Sequence, residues 1–115
     1  MLFNDIIGQE KIIRRLINMA RNNRVSHALL FTGDEGSGCL PLALAFSQYI
    51  TCSDKTENDS CGKCTGCVKS QKIVHPDIHF VYPVATTGKI KKEPVSSNFA
   101  DEWRRFMIEN PYSDI

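Results

Sequence analysis

The sequence contains no apolar run approaching the roughly 18 to 20 residues that a transmembrane helix requires. Its start, Met-Leu-Phe-Asn-Asp, has neither the basic flank nor the apolar stretch of a signal peptide. It also lacks a charge imbalance, because fourteen basic and thirteen acidic residues leave a net charge of +1. These absences predict a cytoplasmic protein with no membrane segment and no overall field that would attract nucleic acid.

The composition is that of an ordinary globular domain. Of the 115 residues, 42% are hydrophobic and 23% are charged, which excludes broad disorder. A chain of this length suffices for one hydrophobic core and is too short for two. We therefore expect a single folded unit.

Hydrophobic periodicity predicts alternating helices and strands. Apolar side chains recur at helical spacing over about 9–22, and the segment 40–50 is helical in character, with a proline in its first turn. Two short apolar runs, 27–32 and 78–82, are typical of strands buried on both faces of a parallel sheet. The predicted fold class is therefore α/β.

The end of the sequence predicts one more amphipathic helix. It would follow a lysine-containing loop over 86–97, with Ser96 or Ser97 as its cap, and stop at Asn110-Pro111. Its apolar face is interpreted as ordinary core or as a docking face for a neighbouring protein. The residues of that face repeat at helical spacing: Phe99, Trp103, Phe106 and Met107.

Four of the five cysteines lie close together in the sequence. Cys52, Cys61, Cys64 and Cys67 form the pattern C-x8-C-x2-C-x2-C, in a segment too polar to build its own core. The reducing cytosol keeps thiols free unless a metal binds them, and four thiolates satisfy a tetrahedral zinc ion. Because protein would fill every coordination position, the predicted zinc site is structural and not catalytic.

Three other interpretations of these cysteines are open. Cys61 and Cys64 have the spacing of a thioredoxin-type redox pair, but a polar stretch precedes them and Cys67 follows at once. Iron also binds thiolates, although the spacing does not match ferredoxin patterns. Unliganded buried cysteines would need apolar surroundings, which this segment lacks. For Gly62 and Gly66, inside the C-x2-C steps, we predict a positive φ.

A glycine-rich loop stands where a phosphate-binding loop would stand, between a predicted strand and a predicted helix. Gly33, Gly36 and Gly38 supply the scaffold of the motif G-x-x-x-x-G-K-[ST]. The lysine and hydroxyl positions are occupied by Cys39 and Leu40, which offer neither an ammonium group for the phosphates nor an oxygen ligand for magnesium. This degraded loop predicts no ATP hydrolysis and no ATP cofactor, and Cys39 is not expected to bind the metal.

Several segments, taken in order, resemble the N-terminal AAA+ module of bacterial DNA polymerase III clamp loader subunits. They are residues 3–10, residues 26–33, the glycine loop, the cysteine insertion and His75-Pro76-Asp77 before the second predicted strand, over nearly all of 1–82. The resemblance implies a P-loop NTPase-like, three-layer parallel sheet, of which residues 1–115 would be the N-terminal part. It also implies that the insertion at about 52–67 binds zinc.

Within this family, gamma and tau subunits keep an intact G-K-[ST] and hydrolyse ATP, whereas the delta prime subunit often has a degraded loop, which Cys39 and Leu40 fit. The resemblance then implies a catalytically inactive scaffold. Its partners would be gamma/tau and delta subunits, with the sliding clamp and primed DNA reached through the complex.

Two alternatives remain open. One is an ATP-hydrolysing gamma/tau-type subunit. The other is a small zinc-knuckle nucleic-acid-binding protein, which should interleave aromatic and basic side chains with its cysteines. No aromatic residue lies between Cys52 and Cys67.

Overall fold

A computed structural model describes residues 1–81 and 100–109, with side chains in the second range described from residue 104 onward. Within these ranges no helix is both long enough and apolar enough to cross a bilayer. The described elements are, in chain order, a 3-10 turn Phe3–Asp5, α1 Glu10–Arg21, α2 Cys39–Thr51, α3 Thr65–Gln71 and α4 Ala100–Glu109.

Helix α1 confirms the amphipathic helix predicted over about 9–22. Leu16 and Ile17 are buried, and the arginines of the opposite face are exposed. Ile12 departs from the prediction, because 44% of its surface is exposed where it lines a pocket beside the glycine loop. The helix begins directly after Gly8 and Gln9, which both adopt left-handed backbone conformations with φ of 73° and 64°.

Helix α2 is the centre of the fold and confirms the helix predicted over 40–50. It is apolar on most of its surface, and such helices are stable only when covered on several sides. The 3-10 turn, α1 and α3 all pack against it. The Tyr49 ring is fully buried, with its centroid 5.6 Å from that of Phe3. The buried core comprises Phe3, Ile6, Leu16, Ile17, Leu42, Ala45, Phe46 and Tyr49.

Neither predicted strand is formed within residues 1–81. The segment 27–32 is irregular, with Leu30 86% exposed, and the segment 78–81 is irregular, with Val81 92% exposed. A buried parallel strand needs backbone partners along its edges and cover on both faces. The apolar runs meet neither condition here, so the three-layer sheet is not formed by the described residues.

Helix α4 confirms the predicted C-terminal helix. Met107 is buried, and the Arg104 Nε donates a hydrogen bond to the carbonyl oxygen of Ile73 at 2.8 Å. This contact brings α4 to the end of α3. Other parts of the prediction lie outside the described residues: Phe99, the side chain of Trp103, the serine cap at 96 or 97, and Asn110-Pro111.

Candidate functional site

The four clustered cysteines come together in space. Cys52 follows the last residue of α2, Cys61 lies in the connecting loop, Cys64 caps α3 and Cys67 lies in its first turn. Their four sulfur atoms all lie within 4.8 Å of one another, and all five cysteines of the chain are free thiols. The fifth, Cys39, is not part of this cluster.

The distances between the sulfurs fit a tetrahedral ion. Zinc binds thiolates at about 2.3 Å, which places the sulfurs of a regular tetrahedron about 3.8 Å apart. The Sγ atoms of Cys52 and Cys61 are 3.6 Å apart, and that of Cys67 is 3.9 Å from the Cys61 sulfur. Cys64 and Cys52 are also separated by 3.9 Å. The cluster could therefore hold a metal ion, and its geometry is compatible with zinc.

Backbone amides donate hydrogen bonds to three of the four sulfurs. The Cys61 Sγ accepts hydrogen bonds from the N–H of Lys63 at 3.4 Å and of Cys64 at 3.2 Å. The N–H of Cys67 donates to the Cys64 Sγ, and the N–H of Cys61 donates to the Cys52 Sγ, each at 3.4 Å. The backbone of this segment therefore converges on the sulfur cluster.

The thiols have contrasting electrostatic surroundings. The hydrogen bond from the Cys67 N–H, together with Ser53, lowers the pKa of Cys64 to about 5. Burial raises the pKa of Cys67 to about 12, because a thiolate is costly away from water. A cation among the sulfurs would offset this cost, since coordination deprotonates a thiol outright.

Two glycines in the cluster are needed for different reasons. Gly62 has a φ of +74°, as predicted for a tight turn between ligands. The same prediction for Gly66 is wrong, because Gly66 is not among the residues with positive φ. A Cβ at Gly66 would lie 2.8 Å from the carbonyl oxygen of Thr51. Gly66 therefore permits the close approach of α3 to the end of α2.

The cysteine loop, residues 52–61, rests on α2 through buried polar contacts that the sequence analysis missed. The Tyr49 hydroxyl donates to the carbonyl oxygen of Thr56 at 2.8 Å. The Gln48 side chain is fully buried and donates to the Ser60 Oγ at 3.1 Å. The available signal was a single glutamine in a mostly apolar helical stretch, because a buried amide requires a specific partner.

Asp59 connects the cysteine loop to the N-terminal segment. Its carboxylate accepts hydrogen bonds from the backbone N–H groups of Phe3 and Asn4, both at 3.0 Å, and from that of Ser60 at 2.8 Å. The contacts with Phe3 and Asn4 bridge more than fifty residues of sequence, so no local pattern indicated them.

The glycine loop retains a turn but brings no phosphate-binding side chain to its lysine and hydroxyl positions. The N–H of Ser37 donates to the carbonyl oxygen of Asp34 at 3.0 Å, and Gly38 precedes α2 with a φ of 95°. Cys39 begins the helix, and its sulfur lies 3.5 Å from the Ser37 Oγ. Cys39 and the next residue, Leu40, are both half-buried.

A pocket of about 460 Å³ lies between this loop and α1. Its charged lining consists of Arg15 on the α1 side and Asp34 in the loop. The pocket thus keeps space beside the loop, but its lining contains no lysine and no opposing pair of carboxylates. Its residues are Gln9, Ile12, Arg15, Leu30, Phe31, Thr32, Gly33, Asp34, Ser37, Gly38, Cys39 and Leu42.

The chain belongs to the family described as DNA polymerase III, delta subunit, whose family model matches residues 8–112. This match confirms the resemblance to DNA polymerase III clamp loader subunits that the motifs indicated. No solved structure matches the chain.

Curated relatives include more than one kind of subunit. The chain is 33% identical over 75 residues to DNA polymerase III subunit delta' of Bacillus subtilis, covering 65% of this chain and 22% of that protein. It is 38% identical over 65 residues to subunit tau/gamma of Haemophilus influenzae, covering 56% and 9%. It is 31% identical over 85 residues to subunit gamma of Buchnera aphidicola, covering 74% and 23%. The matches thus span less than a quarter of each relative.

Proposed function

We propose that the chain is a non-hydrolysing subunit of the DNA polymerase III clamp loader, of the delta prime kind. It scaffolds a complex with gamma/tau and delta subunits that places the sliding clamp on primed DNA. In this proposal residues 1–115 are the N-terminal part of an AAA+ domain that works in the cytoplasm, and residues 52–67 are an inserted zinc module. Family membership and the similarity to a delta' protein support it.

The first turn of α2 carries the proposal of an inactive loop. Where a working phosphate loop has a lysine and a hydroxyl residue, this helix has the Cys39 thiol and the Leu40 side chain, both half-buried. That turn has no acidic residue that could bind magnesium in place of the hydroxyl. Without an ammonium group or a magnesium ligand, the loop lacks the two side chains that stabilise charge on a transferred phosphate.

The rival function is ATP hydrolysis by a gamma/tau-type subunit. Its support is the similarity to tau/gamma and gamma proteins, together with the pocket beside the glycine loop. Arg15 is the cation in that lining, but it belongs to the middle of α1 and not to the loop. The rival function requires residues 39 and 40 to contact the phosphates and magnesium of ATP, whereas the proposed inactive subunit does not.

The second part of the proposal is one structural zinc ion held by Cys52, Cys61, Cys64 and Cys67. The ion would supply a fixed junction between the end of α2 and the start of α3. Four protein ligands leave no position for a reacting water, which supports a structural role. Because tetrahedral thiolate sites also suit iron, elemental analysis of protein purified without chelator distinguishes the two metals.

The complex itself is the direct test of the scaffold role. The full-length protein is mixed with gamma/tau-type and delta subunits from the same organism, and the assembly is followed by size-exclusion chromatography. We expect a stable complex, and no ATP hydrolysis by the full-length protein alone. Cys64→Ser, which removes one of the four clustered thiols, tests whether assembly depends on the proposed zinc module. Cys39→Ser is its matched control, since it removes a thiol outside the cluster.

Two outcomes would replace the proposal. Robust ATP hydrolysis by the isolated protein would favour the gamma/tau alternative. Failure to bind any loader subunit, combined with tight binding of single-stranded DNA by the protein alone, would favour the zinc-knuckle alternative.

A further inference from the structure

The N-terminal segment, residues 3–9, is held at its start by a single side chain of the cysteine loop. Asp59 accepts hydrogen bonds from the backbone N–H groups of Phe3 and Asn4 through its two carboxylate oxygens. Hydrogen bonds to an ionised acceptor are stronger than those between neutral groups. The backbone of this segment is therefore fixed by a carboxylate that lies two positions before the metal-cluster residue Cys61.

Asp59 is in turn positioned from the metal side. Its carboxylate accepts from the N–H of Ser60 at 2.8 Å, and the Ser60 hydroxyl accepts from the buried Gln48 amide. Residues 53–58 are exposed, so little apolar burial holds the middle of the cysteine loop. Its path depends on Cys52 and Cys61, which bring its two ends together at the cluster, and on the hydrogen bonds that Tyr49 and Gln48 donate to it.

The other end of the N-terminal segment reaches the glycine loop. Gln9 donates from its Nε2 to the carbonyl oxygen of Ser37 at 3.2 Å. Gly8 and Gln9 both have positive φ, so the chain reverses sharply before α1 begins. For glutamine this left-handed conformation is disfavoured, and surrounding contacts must maintain it.

We propose that residues 3–9 couple the metal cluster to the glycine loop, with Asp59 as the connecting residue. Metal binding closes the cysteine loop and presents the Asp59 carboxylate, which orders Phe3 and Asn4. The ordered segment then holds Gln9 against Ser37. The coupling rests on the proposed metal site, and it goes beyond that site by making the order of a second, distant loop depend on the metal.

The test measures amide hydrogen exchange in the full-length, zinc-loaded protein and in Asp59→Asn. We expect the Phe3 and Asn4 amides to exchange at least about tenfold faster in the variant, because asparagine offers one neutral acceptor oxygen in place of the two carboxylate oxygens that accept from them. Asp54→Asn is the matched control, since it removes the same charge from the exposed part of the same loop, and it should leave both amides protected. Chelation of the metal from the native protein should reproduce the effect of Asp59→Asn.

A second measurement tests the contact between Gln9 and the glycine loop. It follows the rate at which the Cys39 thiol reacts with an aromatic disulfide reagent. In zinc-loaded protein the other four thiols are bound, so Cys39 reports on its loop. Asp59→Asn and Gln9→Ala should both raise this rate, and Gln9→Ala should do so with Phe3 and Asn4 still protected. Metal content and helical circular dichroism, measured on each variant, establish that the fold is retained.

The outcomes separate the coupling from the proposed zinc site. If the protein binds stoichiometric metal but chelation leaves Phe3 and Asn4 protected, the coupling is overturned and the zinc site stands. If Asp59→Asn frees both amides without changing the Cys39 rate, the connection to the glycine loop is overturned. If the protein binds no metal, the zinc proposal and the metal dependence are overturned together.

Discussion

The two loops that flank α2 differ in what remains of their motifs. The glycine loop before the helix keeps its turn and its left-handed glycines, while the residues that would act on a phosphate are a thiol and a leucine. The cysteine cluster after the helix has both its tight turn and its four thiols, with sulfur atoms 3.6 and 3.9 Å apart. A motif's backbone geometry therefore does not establish its chemistry, which depends on the side chains at the contact positions.

The largest expected effect comes from removing a buried thiol of the cysteine cluster. Cys67→Ser should abolish stoichiometric metal binding and unfold residues 52–71, because structural zinc contributes about 10–16 kcal/mol in small zinc modules. Hydrogen exchange and metal content measure the two effects. Cys39→Ser, in the glycine loop, should change neither. Equal metal content in the two variants would contradict the assignment of the ligands.

A smaller effect is expected at Tyr49, the fully buried side chain of α2 that donates a hydrogen bond to the cysteine loop. Tyr49→Ala should destabilise the protein by about 3–5 kcal/mol, as for other large core aromatics. Tyr49→Phe keeps the ring and loses the hydrogen bond to Thr56, at a cost of about 1 kcal/mol. Urea unfolding at constant metal concentration measures the loss of stability in both variants. A Tyr49→Ala cost below about 1 kcal/mol would show that this ring is not central to the core.

The contrast between the loops also explains which features the sequence predicted. All four candidate ligands fall within residues 52–67, so their spacing alone indicated that they meet. Helices α1 and α2 were predictable because their apolar periodicity is local. The segments 27–32 and 78–82 carry strand-like sequences, but a strand forms only when other segments pair with it. The contacts of Asp59 with Phe3 and Asn4 join residues more than fifty positions apart, beyond the reach of any local pattern.

Glycine substitutions sharpen the comparison. Gly66→Ala would place a methyl group against the Thr51 carbonyl oxygen, which is backbone and cannot move easily, so a cost of about 1–3 kcal/mol is expected. A Cβ at Gly36 would meet no atom within 4 Å, so Gly36→Ala should cost only the strain of a φ of +75°, about 1 kcal/mol. In a chelator competition, Gly66→Ala should release metal more readily and Gly36→Ala should not. The reverse result would contradict the packing role assigned to Gly66.

The smallest expected effect is a gain of ATP binding at the glycine loop. The double substitution Cys39→Lys with Leu40→Thr supplies the missing ammonium group and hydroxyl on a backbone that already has the turn. We expect weak, magnesium-dependent ATP binding by titration calorimetry where the native loop gives none. Cys39→Ser alone is the control and should show no ATP binding. Absence of binding by the double variant would show that the loop's backbone, and not only its side chains, prevents binding.

Native mass spectrometry of the full-length protein, purified without chelator and incubated with magnesium and ATP, tests both loops in one measurement. We predict a single species with one zinc ion per chain and no nucleotide. A species without stoichiometric zinc, or one that retains ATP, would contradict this prediction.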